Sequence, residues 1–323
     1  MKNKIRVSAP GKLMLFGEHS VVYGRACIVT AVSQRMRVTI EATKSKEVEL
    51  IASDVGLRNF KASISTPLDK LPKGARFVFA AAKNFNDRYK GISGLRVKTH
   101  SDFSSQFGFG SSSSVTVCVV KALSVIFDIE IDNNMLFDIC YKSVLDVQGV
   151  GSGFDIAAAI WGGTLYFVGG GKKIICISKK ELPLLVGYTG IKADTTTLVK
   201  KVAFLKKSKP RIVDSIFRTI DFIVGDARRL IVKGNFEGLG ELANINQGLL
   251  DSLGVNTTKL SDLIFAARSA GAYGAKLSGA GGGDCMIAFV PEGKKGPVAR
   301  AIEEAGGKAI SINNGAEGVR IEK

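Results

Sequence analysis

The sequence has few of the residues on which several common kinds of site depend. It holds two histidines, His19 and His100, in 323 residues, so a histidine-built metal centre or a Ser-His-Asp triad is poorly supplied. Its five cysteines are scattered among apolar residues, with no Cys-x-x-Cys pair. This pattern favours reduced thiols packed in a core over disulfides or a metal site. Chemistry based on carboxylates, lysine and a hard cation remains.

Long apolar segments are also missing. No run of about 18 or more apolar residues occurs, and the first ten residues include basic side chains with no apolar signal core behind them. We therefore expect a soluble, cytoplasmic protein that does not contact a membrane. The hydrophobic fraction of 46% is ample for a core, and the chain is long enough for two domains or one large one.

Acidic residues are fewer than basic ones, 29 against 45, which gives a formal net charge of +16 and a pI near 9.6. Such a charge is compatible with nucleic acid or an anionic membrane surface as a partner. The basic residues are spread along the chain, however, and aromatic residues are few. A positive field that attracts phosphorylated small molecules explains the charge as well, so the sequence does not favour nucleic acid as the main partner.

The most informative stretch, residues 104–117, is rich in glycine and serine. Gly108 and Gly110 allow positive φ and a close approach of the backbone to a ligand. Four serines then open an apolar run that predicts a helix over residues 115–127. Free amide N–H groups at a helix start would hold a polyphosphate and help to place its Mg²⁺. A serine-rich loop that merely caps a buried helix would have the same composition.

A second glycine-punctuated stretch lies near the N-terminus, at residues 10–24. Short apolar runs broken by proline and glycine predict strand, turn and strand, with Lys12, Glu18 and His19 around the turns. Three ionisable residues in such a loop indicate a site. The alternative is that Lys12 and Glu18 form a solvated pair, but the surrounding residues are apolar.

Asp155 follows a Gly-Ser-Gly turn and precedes a helix of small residues, so its carboxylate could face a cleft at a helix start. A plain N-cap is the alternative interpretation, because aspartate caps helices well. Further along, Gly279 and residues 281–283 make a glycine run between two predicted strands. Glycines at this density indicate close backbone approach to a ligand or to another segment.

Outside these glycine-rich segments, the alternation of apolar and polar residues predicts antiparallel strands with helices behind them in the first half of the chain. Helices are predicted in the first half at residues 77–85 and 135–147. Helical spacing also occurs at residues 213–234, 236–253 and 258–270, so the second half is predicted to be rich in helix.

Three of these segments resemble, in order, the three signatures of the GHMP kinases (galacto-, homoserine, mevalonate and phosphomevalonate kinases). They read Pro10-Gly-Lys-Leu-Met-Leu-Phe-Gly-Glu-His-Ser-Val-Val-Tyr-Gly24, Gly108-Phe-Gly-Ser-Ser-Ser113 and Lys276-Leu-Ser-Gly-Ala-Gly-Gly-Gly283. The resemblance extends over nearly the whole chain, and residues 187–190 and 246–255 also look like mevalonate kinases. It implies an α+β fold of two domains with the active site between them. Residues 1–180 would resemble ribosomal protein S5 domain 2, and residues 181–323 would be ferredoxin-like.

By position, the resemblance also implies roles for individual residues. Asp155 would be the catalytic carboxylate and Lys12 its charged neighbour. Ser112 would help to bind Mg²⁺. The residues implied in ATP binding are Gly108, Phe109, Gly110, Ser111, Ser112, Ser113 and Ser114. Those implied in acceptor binding are Glu18, His19, Thr189, Gly279 and Ala280.

Two features depart from the mevalonate kinase pattern. Val144 stands where those enzymes usually carry a Mg²⁺-binding glutamate, and Asp146 lies roughly 200° further around the helix. The segment Gly151-Ser-Gly-Phe-Asp155 is more like phosphomevalonate kinases, and the usual proline before the phosphate loop is replaced by residues 104–107.

The resemblance implies an ATP- and Mg²⁺-dependent kinase that phosphorylates the primary hydroxyl of mevalonate in isoprenoid synthesis. Phosphomevalonate or a sugar is the alternative acceptor. A non-catalytic sensor or nucleic-acid-binding member of the family is a further alternative, which the intact Lys12, Ser112 and Asp155 disfavour. The resemblance also implies a homodimer.

Overall fold

The computed structural model describes residues 4–103 and 108–322, which form two β-sheets flanked by α-helices. The α+β class predicted from the sequence is confirmed. Within these residues no helix combines the length and the apolar character needed to cross a membrane. The predicted features at residues 104–107 lie outside the described residues.

The larger sheet has eight strands, built mostly from the first half of the chain. Its central path runs β12-β1-β2-β5-β3-β4, and β6 and β7 extend it from β2. All of the strand pairs are antiparallel except β3 with β5. The strands are β1 (Lys4–Phe16), β2 (Ala26–Thr43), β3 (Val48–Ala52), β4 (Leu57–Ala62), β5 (Gly94–Ser101), β6 (Thr164–Val168), β7 (Lys173–Ser178) and β12 (Arg320–Ile321).

Four helices pack together and against this sheet, and α2 and α4 lie directly on β1 and β2. Their apolar faces, with fully buried side chains such as Phe79 and Phe85, build the main core. Packing of α2 and α4 on β1 and β2 fixes the position of the first turn of each of these two helices. The helices are α1 (Arg76–Tyr89), α2 (Ser111–Ile126), α3 (Asn133–Gln148) and α4 (Phe154–Trp161).

The smaller sheet is fully antiparallel, in the order β11-β8-β10-β9. Helix α7 covers its edge strand β9, where Asn244 Oδ1 and Gln247 Oε1 accept hydrogen bonds from Ala275 N and Leu277 N. Side chains thus occupy edge groups that another strand could otherwise pair with. The elements are β8 (Leu184–Tyr188), β9 (Gly274–Ser278), β10 (Cys285–Phe289), β11 (Lys308–Ile310), α5 (Thr195–Ser208), α6 (Pro210–Lys233), α7 (Phe236–Ser252), α8 (Thr258–Ser269) and α9 (Lys295–Glu304).

The end of the chain returns to the first sheet. Strand β12 pairs with β1, with Val7 opposite Ile321. The buried guanidinium of Arg35 on β2 donates to the carbonyls of Glu317 and Gly318. The last residues are therefore attached to the first sheet, although they follow the second sheet in sequence.

The predicted turn at Pro10 and Gly11 is wrong, because β1 continues through both residues to Phe16. A register shift between Pro10 and Gly11 opens the ladder at this point, and such a bulge is where a strand tolerates proline. The chain turns at Gly17 instead, with φ of 99° and room for no Cβ beside the backbone of Ala26 and Cys27. Cys176 is exposed, contrary to the expected packing, while the other four cysteines are buried and all five are free.

Candidate active site

The three glycine-rich segments meet around one cavity of about 520 Å³. β1 and the loop after it supply one wall, the start of α2 a second, and the loop between β9 and β10 a third. The turn between α3 and α4 closes the remaining side with Asp155. Segments far apart in sequence thus share one pocket. Among its lining residues are Lys12, His19, Gly108, Phe109, Gly110, Ser111, Ser112, Asp155, Ser278, Gly279, Ala280 and Asp284.

The start of α2 has the geometry of an anion site. Gly108 and Gly110 have φ of 67° and 81°, left-handed values that glycine adopts at little cost. The Phe109 ring is buried against Phe103, and the Phe109 carbonyl accepts a hydrogen bond from Lys12 N at 2.9 Å. These contacts hold the loop so that the first amides of a 16-residue helix and the residues Ser111 and Ser112 border the cavity.

The next two serines have protein partners. Ser113 Oγ donates to Asp155 Oδ2 at 2.7 Å, and Ser114 Oγ donates to the Pro10 carbonyl at 2.8 Å. Both residues are buried, and neither is among the residues that line the cavity. Their implied contact with ATP stays a prediction, whereas the structure places Ser113 behind the carboxylate of Asp155.

Lys12 and Asp155 lie on either side of Gly110. A Cβ at Gly110 would lie 3.2 Å from Lys12 Cε and 3.7 Å from Asp155 Cβ, so glycine lets both side chains approach the loop. Lys12 Nζ donates to the Gly108 carbonyl at 2.8 Å and lies 5.4 Å from the centre of the Phe154 ring. An ammonium group and a carboxylate therefore border the loop of residues 108–110 together, which we call the phosphate loop because it leads into the candidate anion site at the start of α2.

Glu18 lies behind the cavity wall. Its side chain and that of Lys276 are both fully buried, and Lys276 Nζ donates to Glu18 Oε1 and to the Leu277 carbonyl. Burial raises the pKa of Glu18 and lowers the pKa of Lys276, and the pairing of the two opposes both shifts. The solvated Lys12–Glu18 pair considered above does not form. Glu18 links the first segment to the third.

His19 borders the cavity in an uncommon backbone conformation, with φ of 60°. Its Nε2 lies 3.0 Å from the Ala280 carbonyl, and because a carbonyl only accepts, Nε2 carries the proton. Burial lowers the pKa of His19, so the ring is neutral at pH 7. Ser278 Oγ also donates to the Met14 carbonyl at 2.8 Å. Both contacts join the first and third segments.

The chain is similar to two family models and to several known proteins, and these similarities agree with the geometry of the cavity. Residues 76–163 match the family model described as the GHMP kinases N terminal domain, and residues 227–308 match the model described as GHMP kinases C terminal. The mevalonate kinase of Thermococcus sibiricus is 38% identical over 99% of this chain and 98% of that protein. The mevalonate kinase of Pyrococcus abyssi is 37% identical over 100% of this chain and 99% of that protein.

This chain is a GHMP kinase. The crystal structure of the Methanococcus jannaschii mevalonate kinase is similar, with a TM-score of 0.79, 26% identity, and coverage of 98% of each chain. The two-domain GHMP kinase fold predicted from the sequence is thereby confirmed, as is the enzyme class, a kinase that transfers phosphate from ATP to an alcohol.

Of the other residues implied in acceptor binding in this GHMP kinase, two line the cavity and one lies behind its wall. Gly279 and Ala280 line the cavity, and Gly279 has φ of 88°. Thr189 is buried and is not among the lining residues; its Oγ1 donates to the carbonyls of Ile191 and Asp284. Thr189 therefore supports the third segment from behind.

Asp284 borders the cavity and was missed by sequence reasoning. It has φ of 51° directly after three consecutive glycines. Its Oδ1 accepts from Ala193 N at 2.9 Å, and its Oδ2 lies beside Gly108, 2.9 Å from the position of a Cβ there. The available signal was a charged residue at the end of a glycine run, a pattern that indicates close approach of the backbone to a ligand or to another segment.

Candidate magnesium donors in this GHMP kinase are hard oxygen atoms. Val144 lines the cavity and offers none, while Asp146 is engaged by Asn84 Nδ2 and Lys142 Nζ, each at 2.8 Å, outside the lining. In the part of the chain that the structure describes, no group of three or more His, Cys, Asp or Glu side chains could hold a metal ion. Ser112 and Asp284 are lining residues with oxygen atoms of the kind that Mg²⁺ binds, and Mg²⁺ commonly takes its other ligands from phosphate and water.

Proposed function

We propose that the chain is an ATP-dependent kinase that phosphorylates the primary hydroxyl of mevalonate to give 5-phosphomevalonate for isoprenoid synthesis. The observation that carries this proposal is the meeting of Lys12, Asp155 and the phosphate loop in one cavity. It stands in a chain that is 36–38% identical to curated mevalonate kinases over 99–100% of its length.

The proposed chemistry requires positioning and charge neutralisation. The nucleotide phosphates lie on the amides at the start of α2, with Lys12 beside them to offset the charge that develops during transfer. Asp155 accepts the proton of the acceptor hydroxyl or orients it for in-line attack. Ser113 donates to Asp155 Oδ2 and Ile156 N donates to Oδ1 at 3.2 Å, which fixes the carboxylate, and the second lone pair of Oδ1 stays open to the acceptor.

Magnesium is part of the proposal, with Ser112 as one of its protein ligands. When bound, Mg²⁺ would neutralise charge on the ATP phosphates. Ser112 lines the cavity in the first turn of α2, which is the turn that would carry the phosphates.

The charge of the cavity favours an acceptor without a phosphate group. Lys12 is the one lysine or arginine among the described lining residues, and it already borders the phosphate loop. His19 is neutral at pH 7, because burial lowers its pKa. A phosphorylated acceptor would find no second cation among these residues, whereas one carboxylate could accept from the amides around Gly279 and Ala280.

Glu18 and Thr189 take part indirectly in this proposal. Glu18 holds the loop that carries His19, and Thr189 holds the segment that carries Asp284. We therefore propose that both act on the acceptor by positioning the cavity wall and not by direct contact.

Three further features belong to the proposal. The domains are taken as residues 1–180 and 181–323, with the last strand returning to the first sheet. A cytoplasmic location is supported by five free cysteines, because reduced thiols are the rule in that compartment. A homodimer is expected and can be measured by sedimentation velocity.

An ADP-release assay over several acceptors tests the function. With mevalonate we expect kcat/KM to be at least about 10²-fold higher than with 5-phosphomevalonate or galactose. Either of the other acceptors would leave polar groups of the acceptor or of the cavity without partners, which costs several kcal/mol of transition-state stabilisation. A preference for phosphomevalonate or a hexose would contradict the acceptor assignment. Steeply salt-dependent binding of DNA or RNA without ADP release would instead support a non-catalytic role.

A further inference from the structure

Four hydrogen bonds hold Asp284 in place. Its N–H donates to the Ile191 carbonyl at 2.7 Å, and its own carbonyl accepts from Thr189 N at 2.9 Å. Thr189 Oγ1 also donates to the Asp284 carbonyl, and Ala193 N donates to Asp284 Oδ1. The residue is thereby fixed at a positive φ that few side chains adopt.

The carboxylate so fixed lies beside the loop that binds phosphate. Oδ1 is engaged by Ala193 N, whereas Oδ2 is directed at Gly108. Burial raises the pKa of Asp284, while Lys12 and Lys192 act in the opposite direction. Two anions, the carboxylate and a polyphosphate, would repel each other here unless a cation lay between them.

Other side chains of the described lining do not meet this requirement. Lys12 Nζ donates to the Gly108 carbonyl, and its single positive charge is the one that offsets the transferring phosphate in the proposed function, so it does not also neutralise Asp284. Asp155, the other carboxylate among the described lining residues, has Oδ2 bonded to Ser113. An oxygen-binding divalent cation would satisfy Asp284 Oδ2 and the phosphates together.

We propose that Asp284 is the carboxylate ligand of the Mg²⁺ that accompanies the bound nucleotide. The proposal rests on the proposed kinase function and deepens it. Asp284 and Ser112 would then contribute hard oxygen donors from two different segments of the cavity wall, with phosphate and water completing the coordination. The metal would thus also draw the third segment towards the phosphate loop.

The test replaces Asp284 by asparagine, which tolerates a positive φ and keeps an oxygen that can accept from Ala193 N. Mn²⁺ titrations of the complex with a non-hydrolysable ATP analogue, followed by electron paramagnetic resonance, give the metal affinity without turnover. We expect Asp284→Asn to weaken Mn²⁺ binding at least about tenfold. Affinity for the analogue in EDTA, measured by calorimetry, should be unchanged or higher because a negative charge has been removed.

Asp155→Asn is the matched control, because it removes the same charge from the same cavity but no proposed ligand. We expect it to change Mn²⁺ affinity less than about threefold. An equal loss in both variants, or unchanged affinity in Asp284→Asn, would overturn the metal assignment. So would a parallel loss of metal-free and metal-bound analogue affinity, which would indicate a structural role.

Stability gives an independent check that the variant folds. Metal-free Asp284→Asn should give the circular dichroism spectrum of wild type and unfold cooperatively, because asparagine keeps the hydrogen bond from Ala193 N. The Mn²⁺ titration and the calorimetry are done without an acceptor. If wild type itself bound no metal–nucleotide complex, both the proposed kinase function and this assignment would be wrong. A loss confined to Asp284→Asn would support the assignment whichever acceptor is used.

Discussion

Replacing Asp155 by asparagine is expected to lower kcat by about 10³-fold, within the range attributed to a positioned general base. Asparagine has nearly the same shape and can still accept from Ser113 Oγ. It cannot take the proton of the acceptor hydroxyl, however, and it removes the negative charge that orients this hydroxyl. Steady-state kinetics with mevalonate and ATP measure the loss.

The fold and the affinity for ATP should survive this change, because Asp155 lies in the first turn of α4 with one partner side chain. Asp146→Asn provides the matched control. Asp146 is on the neighbouring helix α3 and pairs with Lys142 and Asn84 outside the cavity lining, so kcat should stay within about twofold. Near-normal turnover in Asp155→Asn would refute its catalytic role.

Breaking the buried Glu18–Lys276 pair should produce the largest loss of stability. Both side chains have 0% exposure, and removing one partner of a buried pair typically costs about 3–5 kcal/mol because the other charge is left uncompensated. Lys276→Met should therefore lower the free energy of unfolding by about that amount. Urea unfolding followed by circular dichroism measures the change.

The loss should depend on pH in a defined direction. Burial already raises the pKa of Glu18 in the folded state, and removal of the lysine takes away the charge that opposes this shift. A raised folded pKa means that stability falls as pH rises from about 4.3 through that pKa. The deficit of Lys276→Met should thus be smaller at pH 5 than at pH 8.

Two further variants identify the cause. Glu18→Gln combined with Lys276→Met removes both charges and should recover part of the loss. Lys142→Met, which breaks an exposed pair between Lys142 and Asp146 on α3, should change stability by less than about 1 kcal/mol. An equal effect of the buried and exposed lysine replacements would rule out the buried pair as the cause.

Sequence reasoning succeeded where the signal is local. Glycine at residues 108 and 110 followed by serines predicted a helix start, and α2 begins at Ser111, four residues before the predicted apolar run. Asp155 was expected at a helix start beside a cleft, and it lies there because Gly153 supplies the left-handed turn before α4. In both places backbone preferences of nearby residues determine the geometry.

It failed where the partner is distant in sequence. Glu18 and Lys276 are 258 positions apart, and nothing in either segment identifies the other. The directions of Ser113 and Ser114 depend on Asp155 and Pro10, which other elements place. Pro10 and Gly11 look like a turn locally, but β1 pairs with β2 on both sides of them, and this pairing keeps the chain extended.

A crystal structure with mevalonate, a non-hydrolysable ATP analogue and Mg²⁺ would test the central claim, that one cavity joins acceptor and phosphate at Lys12 and Asp155. We expect the analogue's phosphates on the amides of residues 108–112 and the acceptor's primary hydroxyl within about 3.2 Å of Asp155. Phosphates bound away from this loop, or a hydroxyl out of reach of Asp155, would contradict the account.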